Sequence, residues 1–306
     1  MGNALAGKAV VITGAGAGIG AAYARHAAAE GAKVVVNDID AKGVDATLES
    51  IRKAGGTAVG RVGDITSWDE AEALVQFCVK EYGALDGFAN NAALFYMARP
   101  EEETEARLRK VVEVNVLGTA FCGIHALKQM YKQGRGSLVN ISSGAHAGAP
   151  AMGMYGGTKG AVASLTYSWA FDSAAKGVRV NAITPLANTR MVDIGSEYQK
   201  AHGVAGGALS VPIPPERNAP VMSFLLSDAS AGINGQVIRI QDNSLSLLTH
   251  PSVWHPAQER GEWTTEGVRE AFEKDFSKRQ LPLGIVAIEG KLLEYASPVQ
   301  KTIVKG

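Results

Sequence analysis

The sequence predicts an α/β fold: a doubly wound, parallel sheet of about seven strands with helices on both faces, followed by a C-terminal extension. Two observations carry this. Short β-branched apolar runs alternate with Ala-rich helical stretches between residues 8 and 242, and strands apolar along their whole length are those buried on both faces of a parallel sheet. A glycine-rich segment, Thr13-Gly14-Ala15-Gly16-Ala17-Gly18-Ile19-Gly20, joins the first strand to the first helix. Sheets of this kind bind ligands outside the carboxyl ends of their strands.

Each element follows in order. Lys8–Thr13 is a first strand, Ile19–Glu30 a helix stopped by Gly31, and Lys33–Asp38 a second strand. Asp45–Ala54 is a helix closed by Gly55-Gly56, Thr57–Val62 a third strand, and Ser67–Tyr82 a helix opened by a Ser cap. Leu85–Ala89 is a fourth strand, Glu102–Gln133 covers two helices, and Gly136–Ile141 is a fifth strand. Tyr155–Lys176 is a long helix closed by Gly177, Val178–Ile183 a sixth strand and Gln236–Ile240 a seventh. Asn188–Pro214 is polar, Gly-rich and almost without periodicity, in the place of a mobile substrate lid. The division expected is a main domain over 1–244 and an extension over 245–306. That extension has Leu245-Ser246-Leu247-Leu248, Trp254, Trp263, a helix at Thr265–Phe276 and the run Ile285–Ile288. It is too apolar for a loose tail and should pack on the main domain or on a neighbouring subunit.

The bulk properties exclude several classes. The 306 residues carry zero formal net charge, against a nucleic-acid partner, which needs a basic surface. No apolar run reaches the length of a membrane span, and the N-terminus lacks a basic region followed by a long apolar stretch. Met1-Gly2 is followed by Ala6 where myristoylation needs Ser or Thr. The default location is cytoplasmic. Cys78 and Cys122 lie in helical apolar patterns and read as buried free thiols. No metal is expected, since His250, His255 and Glu259 are the nearest approach to a ligand cluster.

The glycine segment has the marks of a dinucleotide cradle. Glycines allow positive φ and close backbone approach. The helix N-terminus behind them offers free amides and positive dipole to a pyrophosphate. Gly14, Gly18, Ile19 and Gly20 are its candidate contacts. Asp38 ends the second strand, where a carboxylate accepts hydrogen bonds from both adenosine ribose hydroxyls and repels a 2′-phosphate. With no Arg or Lys in the loop, NAD is favoured over NADP. Asp64-Ile65 ends the third strand, where an adenine edge could be held, although Asp64 could equally cap a helix. Asn91 ends the fourth.

Tyr155 and Lys159 stand four apart on one helix face. A phenol titrates near 10, too high for a base at neutral pH. A neighbouring ammonium lowers that value, so Tyr155 can exchange a proton with an alcohol or a carbonyl oxygen.

Thr13-Gly14-x-x-x-Gly18-Ile19-Gly20, Asn90-Asn91-Ala92, Asn115, Ser143 and Tyr155-x-x-x-Lys159 together resemble the short-chain dehydrogenase/reductase superfamily, whose domain is Rossmann-like; the likeness covers residues 5 to 242. The resemblance implies that Tyr155 is the general acid/base and that Lys159 lowers its pKa and holds the nicotinamide ribose. It also implies that Ser143 bonds the substrate oxygen and that Asn115 holds a water linking Lys159 to solvent. Ser142 competes with Ser143 for that role, and His146 lies nearby. Ala93 replaces the usual glycine of Asn-Asn-Ala-Gly, and Pro185-Leu186 replaces Pro-Gly. The run Pro185–Met191 is similar to the D-3-hydroxyacyl-CoA dehydrogenase domains of peroxisomal multifunctional enzymes, and points to Thr189 for the nicotinamide carboxamide.

The expected activity is NAD-dependent interconversion of a secondary alcohol and a ketone, oxidation being favoured because cellular NAD is mostly oxidised. The pocket segments Ala93–Met97 and Ala149–Met152 are mostly apolar, which suits a hydrophobic or bulky small-molecule substrate, with Arg190 as a possible anchor. A homodimer or homotetramer is expected. Two alternatives are a non-catalytic NAD-binding regulatory or scaffold protein on the same fold, and an isomerase, epimerase or dehydratase.

Overall fold

A computed structural model of the chain describes residues 3–203, 212–251, 258–278, 280, 284 and 285. Trp254, His255, Val286–Ile288 and the Arg190 side chain lie outside the described residues.

An eight-stranded sheet forms the centre, in the order β3-β2-β1-β4-β5-β6-β7-β8. The strands are β1 (Ala9–Ile12), β2 (Lys33–Asp38), β3 (Thr57–Val62), β4 (Gly87–Asn90), β5 (Gly136–Ile141), β6 (Val178–Leu186), β7 (Val237–Gln241) and β8 (Ser244–Leu248). β1 to β7 are parallel, with Val10 opposite both Val34 and Gly87. β8 turns back antiparallel on β7. Its residues Leu245–Leu248 open the stretch that the sequence reading assigned to the extension.

Side chains alternate between two cores. Val10, Ile12, Val34 and Val36 face one core with Tyr23, Leu48, Ile51 and Met222; Ala9, Val11 and Val35 face the other with Leu74, Cys78, Cys122 and Met130. Both thiols are free and buried. Period-two alternation with both faces covered is why these strands read as unbroken apolar runs.

The helices are α1 (Gly18–Ala29), α2 (Ala41–Lys53), α3 (Trp68–Tyr82), α4 (Glu105–Val112), α5 (Thr119–Gln133), α6 (Gly153–Ala174), α7 (Arg190–His202), α8 (Ala219–Leu226) and α9 (Thr265–Lys274). Capping sets their ends. Asp40 accepts from the Lys42 amide (3.1 Å) and starts α2 four residues earlier than periodicity suggests. Ser67 accepts from the Glu70 amide (3.3 Å) at the head of α3, and Gly83 closes it at φ 82°. α4 and α5 run on without a break through a π-helical turn, Glu113–Gly118. By length and composition this run, Glu105–Gln133, suffices to cross a membrane, contrary to the sequence reading. Here half of its apolar window is buried within the fold, and Cys122, Ala126, Leu127 and Met130 of α5 belong to the core.

Two helices depart from the sequence reading. α7 occupies the segment expected to be aperiodic, with Thr189 capping its start and Gly203 (φ 60°) its end. α8 is apolar almost all round, with six of its residues buried.

The chain divides into two compact units, Met1–Pro256 and Ala257–Gly306. In the second, α9 is capped by Thr264, which accepts from the Gly267 amide at 3.1 Å, and Arg260 pairs with Glu270 at 2.9 Å.

Candidate active site

A cavity of about 700 Å³ opens at the carboxyl ends of the strands, beside β1 and β4, where the strand order reverses. It is lined by Gly14, Gly18, Ile19, Gly20, Asp38, Asp64, Ile65, Asn91, Ser143, Tyr155, Lys159 and Thr189. Of the residues singled out in the sequence for catalysis or cofactor contact, only Asn115 stands behind this wall.

The glycine loop is tightly built. Gly14 has φ +61°, and a Cβ on it would stand 2.7 Å from the Cα of Ala92; one on Gly20 would stand 2.1 Å from the Gly14 carbonyl oxygen. Thr13 Oγ1 accepts from the amides of Asn91 (3.0 Å) and Ala92 (3.1 Å). Asn91 Nδ2 donates to the carbonyl oxygens of Thr13 (2.9 Å) and Gly14 (3.0 Å). Asn91 therefore clamps the loop to the end of β4, besides lining the cavity. The α1 N-cap, Ala17, makes no side-chain hydrogen bond, so this helix terminus has no side-chain cap. A side-chain-free loop leading into an uncapped helix start fits the diphosphate of a dinucleotide.

Asp38 reaches back to the same loop. Its Oδ2 accepts from the Gly16 amide (2.9 Å) and its Oδ1 from the Asp40 amide (3.1 Å), leaving lone pairs on both oxygens. The cavity-lining lysines are Lys159, at the opposite end, and Lys110, which is paired with Glu113 at 3.0 Å. Asp64 Oδ1 accepts from the Thr66 amide (2.9 Å), whereas the cap of α3 is Ser67. Ile65 is buried against Gly118 of the π-helical turn. Thr189 stands opposite Gly18, and its hydroxyl accepts from the Met191 amide (3.3 Å).

At the far end the two serines separate. Ser143 stands beside the Tyr155 phenol, whose ionised form it favours, and accepts from the Ala145 amide (3.2 Å). Ser142 also lines the cavity, but it is buried and donates to the Lys159 carbonyl oxygen (2.9 Å), which ties the end of β5 to α6. His146 Nδ1 lies 2.7 Å from the Ser143 carbonyl oxygen, and the residue is outside the cavity lining.

Lys159 is almost fully buried, donates to the Ile141 carbonyl oxygen (2.8 Å) and stands 5.8 Å from the centre of the Tyr155 ring. Burial lowers its ammonium pKa to about 8. Burial also raises the Tyr155 phenol to about 12, against a smaller lowering by Ser143. This reverses the direction expected from the sequence. Burial disfavours the phenolate more than Ser143 supports it.

Asn115 sits fully buried in the π-helical turn, a local irregularity that often marks functional sites. Its Nδ2 donates to the Leu94 carbonyl oxygen (2.9 Å) and to Thr158 Oγ1 (3.1 Å); its Oδ1 accepts from the Leu94 amide (2.7 Å). Thr158 in turn donates to the Tyr155 carbonyl oxygen (2.8 Å). Asn115 thus ties the segment after β4 to the first turn of α6. Both of its amide hydrogens are used, which leaves one Oδ1 lone pair for a water.

Sequence reading missed the part played by α7, which contributes Met191, Val192, Gly195, Ser196 and Gln199 to the wall. It is held from the other side by Glu102, which accepts from Tyr198 and lies 3.5 Å from His202. The available signal was the pair of end residues, Thr189 and Gly203.

Comparison with known proteins agrees with this geometry. Residues 8–198 match the family model of the short chain dehydrogenases. Cis-4-hydroxycyclohexanecarboxylate dehydrogenase of Sinomonas cyclohexanicum is 37% identical over 243 residues, 78% of this chain and 97% of that protein. A 2,5-dichloro-2,5-cyclohexadiene-1,4-diol dehydrogenase of Sphingobium indicum is 35% identical over 246 residues, 76% of this chain and 95% of that one. A short chain dehydrogenase from Mycobacterium avium superposes with a TM-score of 0.80 at 26% identity, covering 93% of this chain and all of that one. Similar solved structures include complexes with NAD+ and with NADPH. The chain belongs to the short-chain dehydrogenase/reductase family, oxidoreductases that bind a nicotinamide cofactor on this fold.

Proposed function

We propose that the protein is an NAD-dependent dehydrogenase that interconverts a secondary alcohol and a ketone, with Tyr155 as general acid/base. The observation that carries this is the convergence of Ser143, Tyr155 and Lys159 at one end of a cavity whose other end is the glycine loop and Asp38. When bound, the nicotinamide accepts or supplies the hydride. The chain does the rest. Ser143 and Tyr155 bond the substrate oxygen and fix it beside the phenol, which takes the alcohol proton in oxidation and returns it in reduction. Lys159 holds a partly charged amine behind the ring. Asn115 positions the Tyr155 turn through Thr158.

NAD is favoured by Asp38, whose free lone pairs suit ribose hydroxyls and whose charge opposes a 2′-phosphate, with no unpaired cation lining that end among the described residues. Leu94, Phe95, Met152, Met191 and Val192 make the substrate end apolar. Together with two relatives named for alcohols on six-membered carbon rings, this supports a cyclic secondary alcohol or its ketone. Assembly into a homodimer or homotetramer is proposed with it.

The test is formation of reduced cofactor with NAD or NADP and a panel of cyclic secondary alcohols. Tyr155→Phe should abolish turnover while cofactor binding persists. Near-normal kcat in that variant would remove Tyr155 as the acid/base.

A further inference from the structure

Phe95 occupies a position that the reaction chemistry does not explain. Its ring meets the Tyr155 ring edge-on, with centroids 4.9 Å apart and planes at 86°. Its other side faces α7 at Gly195. A Cβ on Gly195 would lie 3.6 Å from Phe95 Cε1 and 3.6 Å from Met97 Sδ, ordinary contact distances. Phe95 and Gly195 both line the cavity, and Met97 is buried behind them. The preceding residue, Leu94, has its amide and its carbonyl oxygen both bonded to Asn115. The backbone that carries Phe95 is therefore fixed, and the ring lies between the phenol and Gly195 of α7.

Resting on the proposed reaction, we propose that Phe95 and Gly195 form the size gate of the substrate pocket. The phenylalanine ring is the wall against which a flat apolar ring lies, and the bare Gly195 leaves the space that this ring fills. A pocket wall of this kind discriminates by about 10- to 200-fold per methylene. Enlarging the wall should exclude bulk, and removing it should admit bulk. An aromatic wall built edge-on to the acid/base also aligns the two rings without a polar contact.

The test compares kcat/KM for cyclohexanol and cis-4-tert-butylcyclohexanol in wild type, Phe95→Ala and Gly195→Ala, with Phe95→Leu as the milder variant if Phe95→Ala does not fold. The bulky-to-small ratio should rise about tenfold or more on truncating Phe95 and fall about tenfold on adding the Gly195 methyl. Opposite movements support the gate. A ratio within about twofold of wild type in either soluble, native-like variant overturns it. If wild type turns over neither alcohol and reduces neither ketone, the oxidoreductase reading fails separately. The gate is then read from thermal stabilisation by the two ketones with NADH present, where an unchanged order of stabilisation in Gly195→Ala overturns it.

Discussion

Lys159 keeps an amine out of water beside the Ile141 carbonyl oxygen and the Tyr155 ring, and its pKa falls from 10.5 to about 8. A lowered ammonium pKa means that the folded state releases the proton more readily than the unfolded chain does. The resulting destabilisation is complete below about pH 8 and is lost as pH rises towards 10.5, with a magnitude on the order of 3 kcal/mol. Lys159→Met removes that pH dependence. Denaturant unfolding should show wild type gaining stability relative to Lys159→Met between pH 8 and 10, while the variant is inactive; parallel stability curves would contradict this account of Lys159. Tyr155 has the opposite shift, its neutral form favoured up to about 12. On the proposed mechanism the protonated phenol donates in ketone reduction at neutral pH, whereas alcohol oxidation, in which it accepts, should accelerate as pH rises from 7 to 10. At Asp38, replacement by Ala removes the acceptor of the Gly16 amide and the charge opposing a 2′-phosphate. The ratio of NADP to NAD kcat/KM should rise about tenfold or more, equivalent to about 1.4 kcal/mol. A wild-type preference for NADP would show that the carboxylate does not govern cofactor choice.

Among the elements, α7 is anchored through its capped ends and through Tyr198 and His202. Gly195 is its one buried residue among those described; the helix is capped at both ends and meets the segment before α4 through Glu102 and Arg99. Tyr198 stacks on His202 at 4.1 Å, and both approach the Glu102 carboxylate. Those partners hold Glu102 below the usual carboxylate range, the Tyr198 hydrogen bond foremost. Glu102→Ala should loosen this wall, raising KM severalfold with a smaller change in kcat; an unchanged KM would mean that α7 is held by other contacts. The same helix explains what the sequence concealed. β1 was legible because it is buried on both faces and apolar throughout, and β2 and β5 because each carries a buried apolar run, Val34–Val36 and Leu138–Val139. The apolar residues of α7, Met191, Val192, Ile194 and Tyr198, stand at helical spacing but within a polar, Gly-rich stretch, so the segment read as a loop, and Thr189 and Gly203 marked its ends. α8 is apolar all round and so carries no helical period. The π-helical turn at Glu113–Gly118 has no sequence signature that separates it from the helices on either side.

At the scale of the molecule, the glycine loop, Asp38 and the Tyr155–Lys159 pair were legible because the strand order brings widely spaced motifs to one sheet edge. The choice between Ser142 and Ser143 was not, since it depends on which hydroxyl turns to the Lys159 carbonyl oxygen. Nor was the rise of the Tyr155 pKa, which comes from the whole enclosure rather than one neighbour. The edge of the sheet adds a further expectation. β8 covers β7, and Leu245 and Leu247 lie more than 60% exposed on it. A chain ended after Pro256 should unfold as cooperatively as the full chain, whereas one ended after Asn243 bares the β7 edge and should aggregate on heating. Equal behaviour of the two truncations in light scattering would show that β8 does not protect the sheet. The central claim concerns the site, and it is tested most directly by following reduced cofactor with NAD and a cyclic secondary alcohol in wild type and Tyr155→Phe side by side. The account predicts steady turnover by wild type, none by the variant, and equal NAD binding by both. Turnover by Tyr155→Phe at the wild-type rate would contradict it.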